Sequence, residues 1–198
     1  MSRFSKAYFD KWYRNPRHRV HTRAEVERKV HMVVGVAELL LERPVKTVLD
    51  VGCGEGAWQP ILKKMRPTVR YMGVDPSEYA VARYGKRRNI RLGTFAELDA
   101  LGLEGPFDLI VCCDFLNYVS TAELTRGVEH VTSLLGGVAY LEVYTAQDEV
   151  EGDVRGWHRR PTRWYRHFFE RMGLTACGMH CYVGTDLKDR TVALERAG

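Results

Sequence analysis

Three acids stand where this chain could do chemistry. Asp50 precedes Gly52, Gly54 and Gly56, Asp75 precedes Pro76, and Asp114 precedes Phe115. Glycines at alternate positions after an apolar run allow positive φ and let a ligand lie directly against the main chain. The free amides of a helix opening behind such a turn add partial positive charge, so an anionic or carboxylate-bearing group is expected there. An acid inside the apolar run, as Asp50 is, needs a partner such as backbone amides or a ligand ammonium. Candidate proton acceptors are His158, His18, Tyr144 and Glu142, and no spacing singles one out. On an extended strand Cys177 and Cys181 would share a face and His180 would point away, so no metal site is expected.

The elements that must position these residues follow in chain order. Residues 47 to 51 read as a strand ending in the glycine turn, and residues 58 to 65 as the helix behind it. Residues 69 to 74 form a second strand ending at Asp75-Pro76, after which Ser77 caps a helix. Residues 89 to 92 are a short third strand, followed by Gly93-Thr94-Phe95-Ala96. Residues 107 to 113 are almost unbroken apolar sequence, the mark of a central parallel strand buried on both faces. Ser120 or Thr121 caps the next helix, and Gly136-Gly137 turns the chain into a fifth strand at 138 to 143. Strands alternating with helices predict an α/β fold, a doubly wound Rossmann-like sheet with helices on both faces. Ligands in such sheets sit at the carboxyl ends of the strands, where Asp50, Asp75, Thr94, Asp114 and Tyr144 would gather.

Both flanks differ from this core. Thr22-Arg23-Ala24-Glu25 has the form of a capping box ahead of an amphipathic helix that ends near Pro44. Before it, Tyr8, Phe9, Trp12 and Tyr13 are spaced for a short helix whose rings either cover one end of the sheet or form a lid over a ligand. After the fifth strand, residues 146 to 160 form a polar, irregular loop with Trp157, His158 and Arg159, a natural substrate cover. A helix starts at Pro161-Thr162 and stops at Gly173. Residues 174 to 183 and 190 to 195 then read as two strands, joined at Gly184-Thr185-Asp186, closing the sheet with an antiparallel strand.

At 198 residues the chain is long enough for one domain with a real core. The expected division is an N-terminal helical arm or lid over 1–43, a cofactor-binding core over 45–145, and a substrate loop, helix and hairpin over 146–198. No apolar run approaches the length of a bilayer span, and the first ten residues lack the apolar core of a signal peptide. A cytoplasmic location without membrane contact is the expectation. Five cysteines, two of them adjacent, are no disulfide framework. The net charge of +5 is carried by residues 1 to 43, which hold ten Lys or Arg against five Asp or Glu. Nucleic acid is therefore the second-choice partner, behind an ordinary solvated basic surface. Nothing in the sequence fixes an oligomeric state.

Gly52, Gly54 and Ala57 also satisfy a dinucleotide fingerprint, which keeps an NAD-dependent oxidoreductase or a non-catalytic nucleotide binder as alternatives. Asp50 in the strand and the closing hairpin argue against a dinucleotide fold. In ordered succession the sequence resembles the class I S-adenosylmethionine-dependent methyltransferases. Val48 to Gly56 looks like their first motif, Gly73 to Ser77 their second, Phe107 to Val111 their fourth-strand signature, and Leu135-Gly136-Gly137 the turn before their fifth strand. The resemblance implies a sheet of about seven strands with the last reversed. It further implies that Gly52, Cys53 and Gly54 pass against the methionine part of S-adenosylmethionine, with Asp50 holding its ammonium directly or through water. Asp75, beside Pro76, would accept the ribose hydroxyls, Thr94, Phe95 and Ala96 would border the adenine, and Asp114 and Phe115 would line the side nearest the methyl. Thr94 departs from the acid that members often carry there. The product would be S-adenosyl-L-homocysteine, and the acceptor a small molecule meeting Tyr13, Trp157 and Arg159, with arginines suggesting an anionic one. Cys112-Cys113-Asp114-Phe115 stands where some members carry Asp-Pro-Pro-Tyr, which argues against amino-group methylation of adenine or glutamine in that manner. An RNA or protein acceptor docking through the basic arm is the alternative.

Overall fold

The computed structural model describes residues 4–150 and 152–196, with the side chains of 195 and 196 left aside. The outermost positions of the expected domain, and residue 151 of the cover loop, lie outside them. The sheet consists of β1 (Thr47–Val51), β2 (Arg70–Asp75), β3 (Ile90–Leu92), β4 (Phe107–Cys112), β5 (Leu135–Leu141), β6 (Thr175–Ala176) and β7 (Cys181–Val183). Their order is β3-β2-β1-β4-β5-β7-β6. The first five strands are parallel, and β7 runs antiparallel to both of its neighbours. This is the expected α/β sheet with the last strand in the chain reversed.

Consecutive strand residues feed opposite cores because side chains alternate across a sheet. Leu49 and Ile110 pack with Leu124, Val128 and Val131 of helix α5 (Thr121–Leu134) and with Phe168 and Phe169 of α6 (Thr162–Arg171). Their neighbours Val48, Leu109 and Val111 pack on the other face, with Val30, Val33, Val34 and Ala37 of α2 (Arg23–Leu41) and with Ile61 and Leu62 of α3 (Trp58–Met65). The capping box forms as the sequence predicts: Thr22 Oγ1 accepts from the Glu25 amide and Glu25 accepts from the Thr22 amide. Ser77 caps α4 (Glu78–Arg88) and Ser120 caps α5. Ahead of α2, the arm is a short helix α1 (Lys6–Phe9) that continues as a π-helical turn, Asp10–Arg14.

Two readings of the sequence need correction. The hairpin lies within residues 174–183 rather than between 174–183 and 190–195. Gly178, Met179 and His180 all take positive φ (88°, 49° and 61°), which reverses the chain and closes it with a Cys177 amide bond to Cys181 O at 2.9 Å. Residues 185–190 form a 3-10 helix instead, and α7 (Ala193–Arg196) replaces the second strand. Gly136 and Gly137 do not turn the chain but stand inside β5. A Cβ on Gly137 would lie 2.1 Å from Asp108 O, so glycine permits the close β4–β5 approach beside the register shift after Phe107.

The arm helix is tied to the sheet by one buried ion pair. Lys29 Nζ donates to both oxygens of Glu142, at 2.6 and 2.9 Å, and Tyr140 and Cys113 donate to the same carboxylate. Burial opposes ionisation of Glu142, but Lys29, Cys113 and Tyr140 together hold its pKa below the usual value. Glu142 is thus a structural group rather than a free base. Lys29→Met strands that carboxylate and is expected to lower unfolding free energy by about 3 to 5 kcal/mol, while Lys29→Met with Glu142→Met recovers part of the loss; urea unfolding of the two variants measures both.

Candidate active site

The glycine turn is built as a backbone cradle. Gly52, Gly54 and Gly56 take φ of 65°, 54° and 72°, and the Gly52 and Cys53 amides donate to Val74 O on β2 at 2.8 and 3.2 Å. A side chain at Gly52 would start 2.4 Å from the Phe115 ring, and one at Gly54 would start 3.1 Å from Phe9. The bare backbone therefore forms the floor of a cleft, with one ring arriving from the β4 end and one from the arm. Asp75 fixes its edge: one carboxylate oxygen accepts from the Gly54 amide (2.6 Å) and the other from the Ser77 amide (2.8 Å). Ser77 Oγ in turn donates to Phe4 O at 2.6 Å, which draws the arm over the cleft.

This cleft, of about 230 Å³, gathers most of the residues expected to bind a cofactor: Gly52, Gly54, Asp75, Pro76, Thr94, Phe95, Asp114 and Phe115. Three of the expected residues stay outside its wall. Asp50 is 2% exposed and lies beneath the turn, where it accepts from Tyr71 Oη at 2.7 Å. Cys53 Sγ is also turned away, sitting 2.8 Å from where a Cβ on Gly73 would be. Ala96 lies in the 3-10 helix Phe95–Leu101, off the wall. Tyr8, Tyr13 and Tyr118 join the wall from the arm and from the loop after β4.

A second chamber, of about 220 Å³, opens beyond it. The two share Tyr8, Tyr13, Asp114 and Tyr118 as walls. Asp114 stands in the left-handed region (φ 64°), which Asp tolerates better than most residues, and faces both spaces. Tyr144 and Trp157 stack on the far side, their rings 6.0 Å apart and 10° from parallel. Asn117 holds that wall: its amide accepts from Tyr144 N and donates to Tyr144 O, while its backbone O accepts from the His158 amide.

Of the expected catalytic and acceptor-binding residues, Tyr144, Tyr13 and Trp157 line this chamber. His158, Arg159 and His18 are exposed and do not: the cover loop binds through its backbone and turns His158 and Arg159 to solvent, while His18 lies in the exposed stretch ahead of α2 with its ring near Trp12. Burial, with Glu142 and Asp114 nearby, pushes the Tyr144 phenol up to about 12, which keeps it protonated at neutral pH. The residue that sequence reasoning missed is His21. Its Nε2 lies 3.3 Å from Asp114 Oδ2, close but not aligned for a hydrogen bond, and is buried without a partner, as is Trp157 Nε1. The available signal was its place one residue before the Thr22 cap, which fixes it at the start of α2.

No lysine or arginine among the described residues lines the chamber. Of the arm's cations, Arg14 meets Glu55, Lys29 meets Glu142 and Arg43 meets Asp108, so those three are engaged with the protein's own acids. No helix among the described residues is long and apolar enough to cross a membrane.

Comparison with known proteins decides the family, because the sequence profile of a methyltransferase domain matches residues 20–184. This chain belongs to that methyltransferase family. The match sets aside the dinucleotide oxidoreductase reading. A curated relative, the trans-aconitate 2-methyltransferase of Deinococcus radiodurans, is 32% identical over 114 residues, which are 56% of this chain and 42% of that protein. The methyltransferase chain thus spans about two fifths of that relative's length. Among solved structures, it resembles an S-adenosylmethionine-bound amino pentose methyltransferase from Micromonospora echinaspora (TM-score 0.54, 24% identity, covering 65% of this chain and 55% of that one). It also resembles a magnesium protoporphyrin IX methyltransferase from Synechocystis (TM-score 0.57, 20% identity, 77% and 69% covered).

Burial, opposed by the Tyr71 hydrogen bond and aided by the charge of Asp75, raises the Asp50 pKa from 3.8 to about 7. The folded chain then holds this proton more tightly than the unfolded one, a stabilisation present below about pH 4 and lost as pH rises through about 7. Asp50→Asn removes the titration, so the variant is expected to gain on the wild type by up to about 4 kcal/mol between pH 4 and pH 8 in urea unfolding.

Proposed function

We propose that this methyltransferase domain moves the methyl group of S-adenosylmethionine to a small-molecule acceptor. The observation that carries the reading is the pair of chambers meeting at Tyr13 and Asp114, one floored by bare glycine backbone and the other walled by rings. When bound, the cofactor supplies a methyl group already activated on a sulfonium. The Gly52–Gly54 cradle fits a ligand lying on the main chain, and the Asp75 oxygens each retain a lone pair for a ribose hydroxyl beyond the amides they accept. Thr94 and Phe95 border the adenine side. Asp50 acts from beneath the turn rather than as a direct contact, and an ammonium above it would favour its ionised form.

The protein's remaining task is to hold the acceptor atom roughly 3 Å from the methyl carbon, opposite sulfur, and to exclude water. Tyr13 and Asp114, at the junction, are placed for that alignment. His21 is the titratable group suited to take a proton from the acceptor, with Asp114 beside it to stabilise the imidazolium. The named acceptors of the relatives, an acid, an amino sugar and a porphyrin, differ too much to indicate which one belongs here.

S-adenosylhomocysteine is expected to raise the melting temperature where NAD does not, and the reverse result would overturn the reading. Asp75→Ala should weaken S-adenosylhomocysteine binding at least about tenfold by calorimetry; unchanged affinity would rule out the ribose role. With the native acceptor in hand, His21→Gln should lower kcat by roughly 100-fold and leave KM nearly unchanged, and an unaltered kcat would remove His21 as the base.

A further inference from the structure

We infer that the acceptor is a small-molecule amine, recognised as its ammonium form by Asp114 and the surrounding aromatic walls. The inference rests on the methyl-transfer reading above and adds the chemical class of the acceptor. The chamber wall contains three carboxylates, Asp114, Glu149 and Asp153, and no lysine or arginine among the described residues. Asp153 is engaged by Arg155, whose side chain stands in solvent. Asp114 has His21 at 3.3 Å as its ion-pair partner among the described residues, and Glu149 is exposed at the chamber's edge. Between the carboxylates the wall is largely tyrosine and tryptophan, whose ring faces attract cations. Charge and π faces act in the same direction: a carboxylate or phosphate would meet repulsion from Asp114 and Glu149, an alcohol little attraction, and an ammonium both a counter-ion and rings.

The chamber also holds a means of releasing the nucleophile. A protonated amine has no lone pair to offer, and the imidazole of His21, whose Nε2 is buried without a hydrogen bond 3.3 Å from the Asp114 carboxylate, can receive one N–H proton. The freed lone pair forms the N–C bond as the C–S bond breaks, its electron pair remaining on sulfur as a neutral thioether. The positive charge lost by the sulfonium reappears on the methylated ammonium, and the imidazolium returns its proton to solvent.

Three probes of similar shape and different charge test this: phenethylamine, phenethyl alcohol and 3-phenylpropionate, titrated by calorimetry into the full chain with and without S-adenosylhomocysteine. The amine is expected to bind at least about tenfold more tightly than the propionate, and Asp114→Asn to lose about tenfold in amine affinity while alcohol binding stays within about threefold. Asn suits this left-handed position, so the variant is expected to fold. Propionate binding as tightly as the amine overturns the proposal, and so does an Asp114→Asn variant that keeps the wild-type amine affinity. If S-adenosylhomocysteine binds and the propionate wins, the acceptor class is wrong and the methyl-transfer reading stands. If S-adenosylhomocysteine does not bind, that reading falls, and the charge preference is still read from the protein alone.

Discussion

A single carboxylate joins the parts of the site that come from distant stretches of chain. Asp75 accepts the amide of Gly54, from the turn after β1, and the amide of Ser77, from the turn after β2. It thereby fixes the glycine cradle to the second strand and sets the start of α4. Through Ser77 Oγ and Phe4 O the same cluster reaches the N-terminal arm. Burial raises the Asp75 pKa, and the two amides counter that by favouring the charged form. The cradle, Asp75 and the arm are therefore one hydrogen-bonded unit, and a change at Asp75 reaches the other two.

The arm is held at its far end by different physics. The reciprocal Thr22–Glu25 cap fixes where α2 begins, and the buried Lys29–Glu142 pair fixes where it lies on the sheet. Between the Asp75 cluster and these anchors the chain carries Phe9, Tyr13 and His21 across the strand ends. Phe9 and Phe115 close on the cradle because Gly52 and Gly54 have no Cβ to hold them off. The arm is an extension of the packing rather than a separate flap.

Of the arm's basic residues, Arg14, Lys29 and Arg43 pair with Glu55, Glu142 and Asp108, and none among the described residues lines the second chamber, whose wall holds carboxylates and rings. Net charge describes the outside of this protein and is a poor guide to its inside, because a folded chain sorts its charges by solvation and not by count.

Much was legible in the sequence. The strand at Val48–Val51 and its glycines, the Asp75 strand end, the Thr22, Ser77 and Ser120 caps and the buried β4 run all rest on local rules: periodicity, positive φ and capping chemistry act over a few residues and survive any tertiary context. The resemblance in motif order then yielded most of the cofactor cleft, from Gly52 to Phe115. Longer-range geometry decided the rest. His21 reaches the chamber wall from the start of α2, the helix docked by Lys29, and His158 and Arg159 stay off that wall where the His158 amide bonds Asn117 O. Asp50 sank beneath the turn onto Tyr71, and the hairpin closed at three left-handed residues, Gly178 to His180, that only a packed chain can select. Where a side chain points depends on what its backbone is anchored to, and those anchors here, Lys29–Glu142, Asn117–Tyr144 and Tyr71–Asp50, join residues between 21 and 113 positions apart.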